Sequence, residues 1–181
     1  MKVLLHCCCV VCAGHSIEKL LSLGYEPVLY WFNPNIYPFE EYEKRFKELE
    51  RYANKLSLEL IVPEQNIDDW TKFVKGLENE KEGGARCLKC FEYRLSFAAK
   101  EAKNRNIECF TTTLTISPHK NSKNIFIEGN KAAEKYGVKF LEIDFKKENG
   151  FMKTMEIAKR ENFYRQNYCG CEFSLPSGPV K

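Results

Sequence analysis

Val3-Leu4-Leu5-His6, a short apolar run, leads into Cys7-Cys8-Cys9-Val10-Val11-Cys12, a segment with helical periodicity, and then Pro27-Val28-Leu29-Tyr30-Trp31-Phe32. This opening stretch decides the fold. The first run reads as a buried strand ending at a cysteine knot. Residues Ala13 to Leu23 read as a helix, with Ile17, Leu20 and Leu21 on one face and Gly24 as its stop. Pro27 to Phe32 reads as a second buried strand, closed by the turn-forming Asn33-Pro34-Asn35. Strand, helix and strand in that order form a βαβ unit, which implies parallel pairing.

The pattern repeats along the chain. Glu40 to Leu56 is expected as a helix carrying Tyr42, Phe46, Leu49 and Tyr52 inward, and Leu58 to Val62 as a third strand. Helices are expected over Ile67 to Leu77 and Cys87 to Asn104, with a charged, glycine-ended loop from Glu78 to Gly84 between them. Glu108 to Thr113 and Val138 to Ile143 complete the strands, and Ser122 to Tyr136 and Met152 to Glu161 the helices. The expectation is an α/β fold, a three-layer sandwich around a mostly parallel sheet. One domain over residues 1–173 is expected, with a loose tail from Ser174 to Lys181 that holds two prolines and a glycine.

Composition bounds the function loosely. The chain is 44% hydrophobic, enough for a sizeable core, and its net charge of +3 permits a nucleic-acid partner without demanding one. No apolar run approaches the ~20 residues needed to span a bilayer, so no membrane role is expected. The anomaly is cysteine: nine of them, at 7, 8, 9, 12, 87, 90, 109, 169 and 171. An odd count, neighbouring pairs unsuited to bonding each other, and a start at Met1-Lys2-Val3 without a secretory pattern argue against a disulfide framework. A cytoplasmic, metal-binding chain is the expectation.

Thiolate chemistry explains the knots. Cys87-x-x-Cys90 opens a helix, whose amides favour the thiolate form, and Cys9-x-x-Cys12 repeats the spacing. Two such pairs supply the four thiolates of a zinc site or a [4Fe–4S] cluster. Cys8, Cys169 and Cys171 are then left over, enough to hold a second metal with an open position; otherwise they are buried apolar cysteines. Cys7 and Cys109, in or near strands, read as structural, and His6 and His15 as packing residues. Parallel sheets bind ligands at the carboxyl ends of their strands, where the first knot, Asn33 to Asn35 and Thr112-Thr113 all fall. The other two knots reach that edge only by folding back. Asp144 is either a site acid or a cap. Arg165 meets either a phosphate or a surface carboxylate, and Lys120-Asn121 either binds phosphate or simply caps a helix. Lys146-Lys147 reads as a solvated face unless RNA lies across it.

With these residues in place, the chain resembles the cobalamin-independent epoxyqueuosine reductases over nearly its whole length. The matching pieces begin with Leu4-Leu5-His6-x-Cys8-Cys9-x-x-Cys12, Trp31-Phe32-Asn33-Pro34-Asn35-Ile36 with Glu41-Tyr42, and Arg86-Cys87-x-x-Cys90-Phe91-x-x-Arg94-Leu95. They continue with Phe110 to Leu114, Ile116-Ser117-Pro118-x-Lys120-Asn121, Asp144 to Lys147, and Tyr164-Arg165-Gln166-x-Tyr168-Cys169-Gly170-Cys171. One departure is Val10-Val11, where the family usually has Ala-Pro; it removes no sulfur.

The resemblance implies a nucleotide-alpha-hydrolase-like fold of the HUP or Rossmann-like kind, a [4Fe–4S] cluster and an additional mononuclear iron. It also implies a tRNA partner carrying epoxyqueuosine, an external electron donor, and deoxygenation to queuosine at the wobble position. Relatives of that fold carry a glycine-rich ATP loop after the first strand; here the cysteine knot takes its place, so ATP is not expected. The resemblance implies metal ligation by Cys8, Cys9, Cys12, Cys87, Cys90, Cys169 and Cys171, with an open iron at Cys8, Cys169 and Cys171. Asp144, Tyr42 or water would supply protons. Asn33, Asn35, Arg86, Thr112, Lys120 and Arg165 are the substrate-pocket candidates. Two other readings compete: an iron–sulfur tRNA sulfurtransferase, which would need ATP, and a non-catalytic, zinc-stapled RNA-binding protein.

Overall fold

The structure is a computed structural model and describes residues 1–175. Five strands form one sheet in the order β3-β2-β1-β4-β5: β1 (Lys2–His6), β2 (Glu26–Tyr30), β3 (Leu60–Ile61), β4 (Cys109–Thr112) and β5 (Lys139–Phe140). All four pairings are parallel, with Leu4 opposite both Val28 and Phe110. Six helices cover it: α1 (Val10–Ser22), α2 (Phe39–Lys55), α3 (Ile67–Phe73), α4 (Ala85–Asn104), α5 (Ser122–Tyr136) and α6 (Gly150–Arg160). The expected tail from Ser174 lies outside the described residues from position 176 onward; Ser174 itself ends a short 3-10 turn, Glu172–Ser174.

Alternation of side chains through the pleat divides the core into two layers. Val3, Leu5, Leu29, Trp31 and Cys109 face α1, α2 and α6, where Ile17, Leu49, Tyr52 and Ile157 pack. Leu4, Val28, Tyr30, Phe32 and Phe110 face α4 and α5, meeting Leu95, Ala98, Ala99 and Ile125. β1 is central and apolar on both faces, as a parallel strand covered by helices must be. Cys7 and Cys109 sit in this core, fully buried. Among the described residues no helix is long and apolar enough to cross a membrane.

The edge strands are shorter than expected, two residues each against runs of Leu58–Val62 and Val138–Ile143. Each edge strand has one neighbour only, and beyond β5 side chains capture the carbonyls that a longer ladder would use. Thr111 Oγ1 donates to Leu141 O at 2.9 Å, and Thr115 Oγ1 to Ile143 O at 2.9 Å. Several helix ends also moved: α4 starts at Ala85 rather than Cys87, and three others are instructive. α3 stops at Phe73, before Gly76 takes a φ of +86°. α6 starts at Gly150, where a side chain would place its Cβ 1.7 Å from the Phe145 carbonyl oxygen. The third shift bears on the site: α1 begins at Val10, three residues before the expected Ala13, with Cys9 as its N-cap.

Candidate metal centre

Strand order reverses between β1 and β4, and their carboxyl ends open the crevice where parallel sheets bind ligands. Because α1 starts early, Cys8, Cys9 and Cys12 all crowd its first turn. Their sulfurs lie within 4.8 Å of one another. Backbone and threonine groups hold this trio. Cys9 Sγ accepts from Cys12 N at 3.4 Å, and Thr113, at the end of β4, joins it through one oxygen. That Thr113 Oγ1 accepts from Cys8 N at 3.1 Å and donates to Cys8 Sγ at 3.2 Å. Gln166 Nε2 donates to Cys9 Sγ at 2.9 Å from the C-terminal side. Hydrogen bonds from Cys12 and Cys9 hold the Cys8 thiol well below the usual thiol range, and the bond to Cys8 pushes Cys12 up.

The other knots assemble by longer routes. Cys87 and Cys90 occupy the first turns of α4, with Gly83 N donating to Cys87 Sγ at 3.2 Å. Burial pushes Cys90 up to about 11. Cys169-Gly170-Cys171 reaches them as a hairpin clamped from α2. Arg45 Nη1 donates to Cys169 O at 3.0 Å and Nη2 to Tyr168 O at 3.2 Å, while Nε pairs with Glu41 at 2.7 Å. Tyr164 donates to the second Glu41 oxygen at 2.7 Å. Gly170 adopts a φ of +135° and packs so closely that an added Cβ would meet Arg45 Nη1 at 3.1 Å.

Two adjoining cavities result. The larger, about 450 Å³, is lined by Cys8, Cys12, Cys169, Arg94, Lys120 and Arg165 among others. The smaller, about 90 Å³, holds Cys87, Cys90, Cys169 and Cys171, again with Arg94 and Lys120. Cys8, Cys9 and Cys12 form one tight group, Cys171 lines the smaller cavity with Cys87 and Cys90, and Cys169 lines both cavities. Spacing along a chain counts ligands but does not say which of them converge.

The remaining candidates separate clearly. Lys120 lines both cavities, and Arg165 and Asn35 line one each. Burial opposes the charge of Lys120, but the sulfurs of Cys169, Cys8 and Cys12 pull its pKa above the ordinary lysine value. Asn35 Oδ1 is buried without a partner. Arg86 reaches the small cavity, yet its Nη1 already donates to the carbonyls of Leu77, Glu78 and Glu80 at 3.1, 2.8 and 2.6 Å. Asn33 and Thr112 are fully buried and line neither cavity. Asn33 Nδ2 donates to Cys7 O at 2.9 Å, and Thr112 Oγ1 pairs with His6 Nδ1 at 2.8 Å. Burial holds His6 down at about 3, hence neutral, in keeping with a packing role. Asp144 also lies off both cavities, accepting from Lys146 N at 3.2 Å. Lys146 is no solvated face: its Nζ donates to Thr115 O, Lys120 O and Ser122 Oγ at 2.9, 3.1 and 2.6 Å, pinning the segment that carries Lys120.

Sequence reasoning left Arg94, Thr113, Gln166 and Arg45 without roles. Arg94 had a readable signal, since Cys87, Cys90, Phe91 and Arg94 follow the spacing of one helix stripe. Arg45 had none, because a Glu41–Arg45 pair at helical spacing reads as a surface pair.

The donor set fits a thiolate-held metal group. A single ion bound at about 2.3 Å per sulfur needs thiolates roughly 4 Å apart, which suits the trio. Cluster ligands each bind a different iron and stand farther apart, as sulfurs around a shared cavity do. Charge agrees as well. Arg94 is 3% exposed and its Nε is unpartnered, so a buried cation faces the cysteines and calls for an anion.

Comparison with known proteins gives a family. The family model described as Epoxyqueuosine reductase QueH matches residues 3–177. The Epoxyqueuosine reductase QueH of Haemophilus influenzae is 41% identical over 175 residues, covering 96% of this chain and 71% of that protein. The Thermotoga maritima protein of the same name is 38% identical over 176 residues, covering 96% of this chain and 90% of its own. Among solved structures, the crystal structure of a predicted subunit of tRNA methyltransferase from Methanocaldococcus jannaschii superposes with a TM-score of 0.61. That match has 17% identity and covers 86% of this chain and 75% of the other. It shows the shared α/β fold expected above. A cysteine-lined crevice at the switch point of such a fold, together with sequence identity along almost the whole chain, places this protein in the epoxyqueuosine reductase QueH family.

Proposed function

We propose that this chain removes the epoxide oxygen of epoxyqueuosine in tRNA, giving queuosine, with an iron–sulfur group held on its clustered cysteines. The observation that carries the reading is the meeting of six cysteines from three distant segments around two adjoining cavities, with Cys9 packed against two of them. Four sulfurs, those of Cys87, Cys90, Cys169 and Cys171, would hold a [4Fe–4S] cluster. Cys8, Cys9 and Cys12 would hold a single ion, proposed as iron, and leave it open toward the larger cavity. When bound, this group supplies electrons one at a time and a Lewis acid for the epoxide oxygen.

The balance is two electrons and two protons in, and one alkene and one water out. The chain's own residues bind, orient and exclude. Lys120 and Arg165, at the larger cavity, would take phosphate or polar groups of the nucleotide. A cavity of about 450 Å³ admits one flipped-out base, which suits an unpaired loop better than a duplex. Asp144 and Tyr42 are occupied elsewhere: Tyr42 accepts from Gln65 Nε2 at 2.6 Å. The protons are therefore assigned to water in the larger cavity. Asn33, Thr112 and Arg86 would act by holding the walls rather than by touching substrate. No nucleotide triphosphate enters the balance, and the electrons come from an external donor. Nine free thiols suit a reducing cytoplasm.

The test is anaerobic purification, followed by iron, sulfide and absorption measurements, then incubation with a reductant and epoxyqueuosine-containing tRNA. A brown protein that yields queuosine is expected. Cys90→Ser should lose sulfide and colour, whereas Cys12→Ser should keep both and lose about one metal per chain. A colourless zinc protein, inactive after iron–sulfur reconstitution, would sink the reading.

A further inference from the structure

Arg94 is a buried arginine that, like Lys120, stands where the two cavities adjoin. It lies on the α4 stripe that carries Cys87 and Cys90, and it borders both cavities. Its side chain is 3% exposed. Its Nη2 donates to Asn33 Oδ1, its Nε has no partner, and no carboxylate among the described residues pairs with it. Of the other buried arginines, Arg45 pairs with Glu41, while Arg86, whose Nε is also unpartnered, donates through Nη1 to three carbonyls and borders only the smaller cavity. A full positive charge is thus kept in a low-dielectric wall, held in place by a neutral amide. Burying a guanidinium without a counter-ion is costly, so the site must supply negative charge.

We propose that Arg94 is a positioning charge that raises the reduction potential of the metal group, biasing it toward the electron-loaded state that epoxide removal consumes. The inference rests on the iron–sulfur reading above. Reduction by one electron adds one negative charge to the site, and no bond forms or breaks. The electron comes from a low-potential one-electron carrier, dithionite in the test. A fixed cation nearby stabilises the reduced form more than the oxidised one, and burial makes that preference strong. Because Arg94 borders both cavities, the same charge acts on the cluster wall and on the open-ion wall. Asn33 matters as the neutral partner. Its Nδ2 is held by Cys7 O, which leaves Oδ1, a dipole and not a charge, for the guanidinium. An aspartate there would cancel the cation while leaving it in place.

The experiment is a dithionite titration of reconstituted protein, followed by absorption and electron paramagnetic resonance, on wild type, Arg94→Lys, Arg94→Gln and Asn33→Asp. The expected order has wild type and Arg94→Lys close together at the higher midpoint, with Arg94→Gln shifted negative. Asn33→Asp should shift the same way although the arginine remains, a result that simple packing by Arg94 would not give. If Arg94→Gln fails to retain colour, Asn33→Asp against wild type decides. Equal midpoints in loaded proteins would overturn the inference and leave the cofactor reading standing. Absence of a chromophore in reconstituted wild type would remove both.

Discussion

Cys8, Cys9 and Cys12 stand at the end of the central strand, on backbone that the sheet itself fixes, while Cys87, Cys90, Cys169 and Cys171 meet only because a helix start and a late hairpin are tied together. The near wall needs one strand, one helix N-terminus and one threonine. The far wall needs a buried ion pair and a glycine in a conformation other residues rarely adopt. Preorganisation by sheet topology is robust because β1 is buried on both faces and paired on both sides. Preorganisation by clamp depends on a few polar contacts, each of which leaves an exposed debt if its partner goes. The two walls should therefore fail separately.

Arg45→Ala should do the most damage. It strands Glu41 in a buried position and frees two hairpin carbonyls, costing about 3–5 kcal/mol, a large share of the ~5–15 kcal/mol that holds a typical domain. Chemical denaturation of the metal-free protein measures this. Alkylation with mass spectrometry should show Cys169 and Cys171 newly reactive, with Cys8, Cys9 and Cys12 unchanged. Equal exposure of both groups would erase the contrast.

Gly170→Ala should act on the same wall more gently, costing about 1–3 kcal/mol through backbone strain and crowding of Arg45 Nη1, read as a lower Tm. Its counterpart on the near wall is Thr113→Val, which leaves Cys8 N without an acceptor. It should cost about 1–3 kcal/mol, and weaken metal binding at the trio by about 10–100-fold in a competition titration while sparing the cluster wall. Gln166→Ala removes a single bond to Cys9 and should cost only about 0.5–1.5 kcal/mol. A larger effect would mean that the near wall leans on the C-terminal segment more than its other bonds indicate.

The same contrast explains what could be read from the chain alone. β1, β2 and β4 are apolar runs closed by turn or site residues, so strand, helix and layer were legible, and α5 matched to the residue. β5 was overextended because threonine hydroxyls take the carbonyls of Leu141 and Ile143, which no local pattern reveals, and β3 keeps only Leu60–Ile61 of its expected run. The cysteines announced themselves by identity, but their grouping did not. Whether Cys8 joins Cys9 or Cys169 depends on where α1 starts, and Cys9 acting as a cap moved that start by three residues. Asp144 and Thr112 sat at promising strand ends yet turned to Lys146 and His6, because an edge position does not set a side chain's direction.

The Arg45 clamp has a consequence in time. Arg45 and the Cys169 carbonyl that it holds are 124 residues apart, and a ribosome adding about 5–20 residues per second needs about 6 to 25 seconds to make that stretch. Throughout that interval the trio has already been synthesised and the hairpin has not. The trio's segment is thus made long before the hairpin that lies beside it, and the site is complete only when the last segment has emerged and the clamp has closed on it.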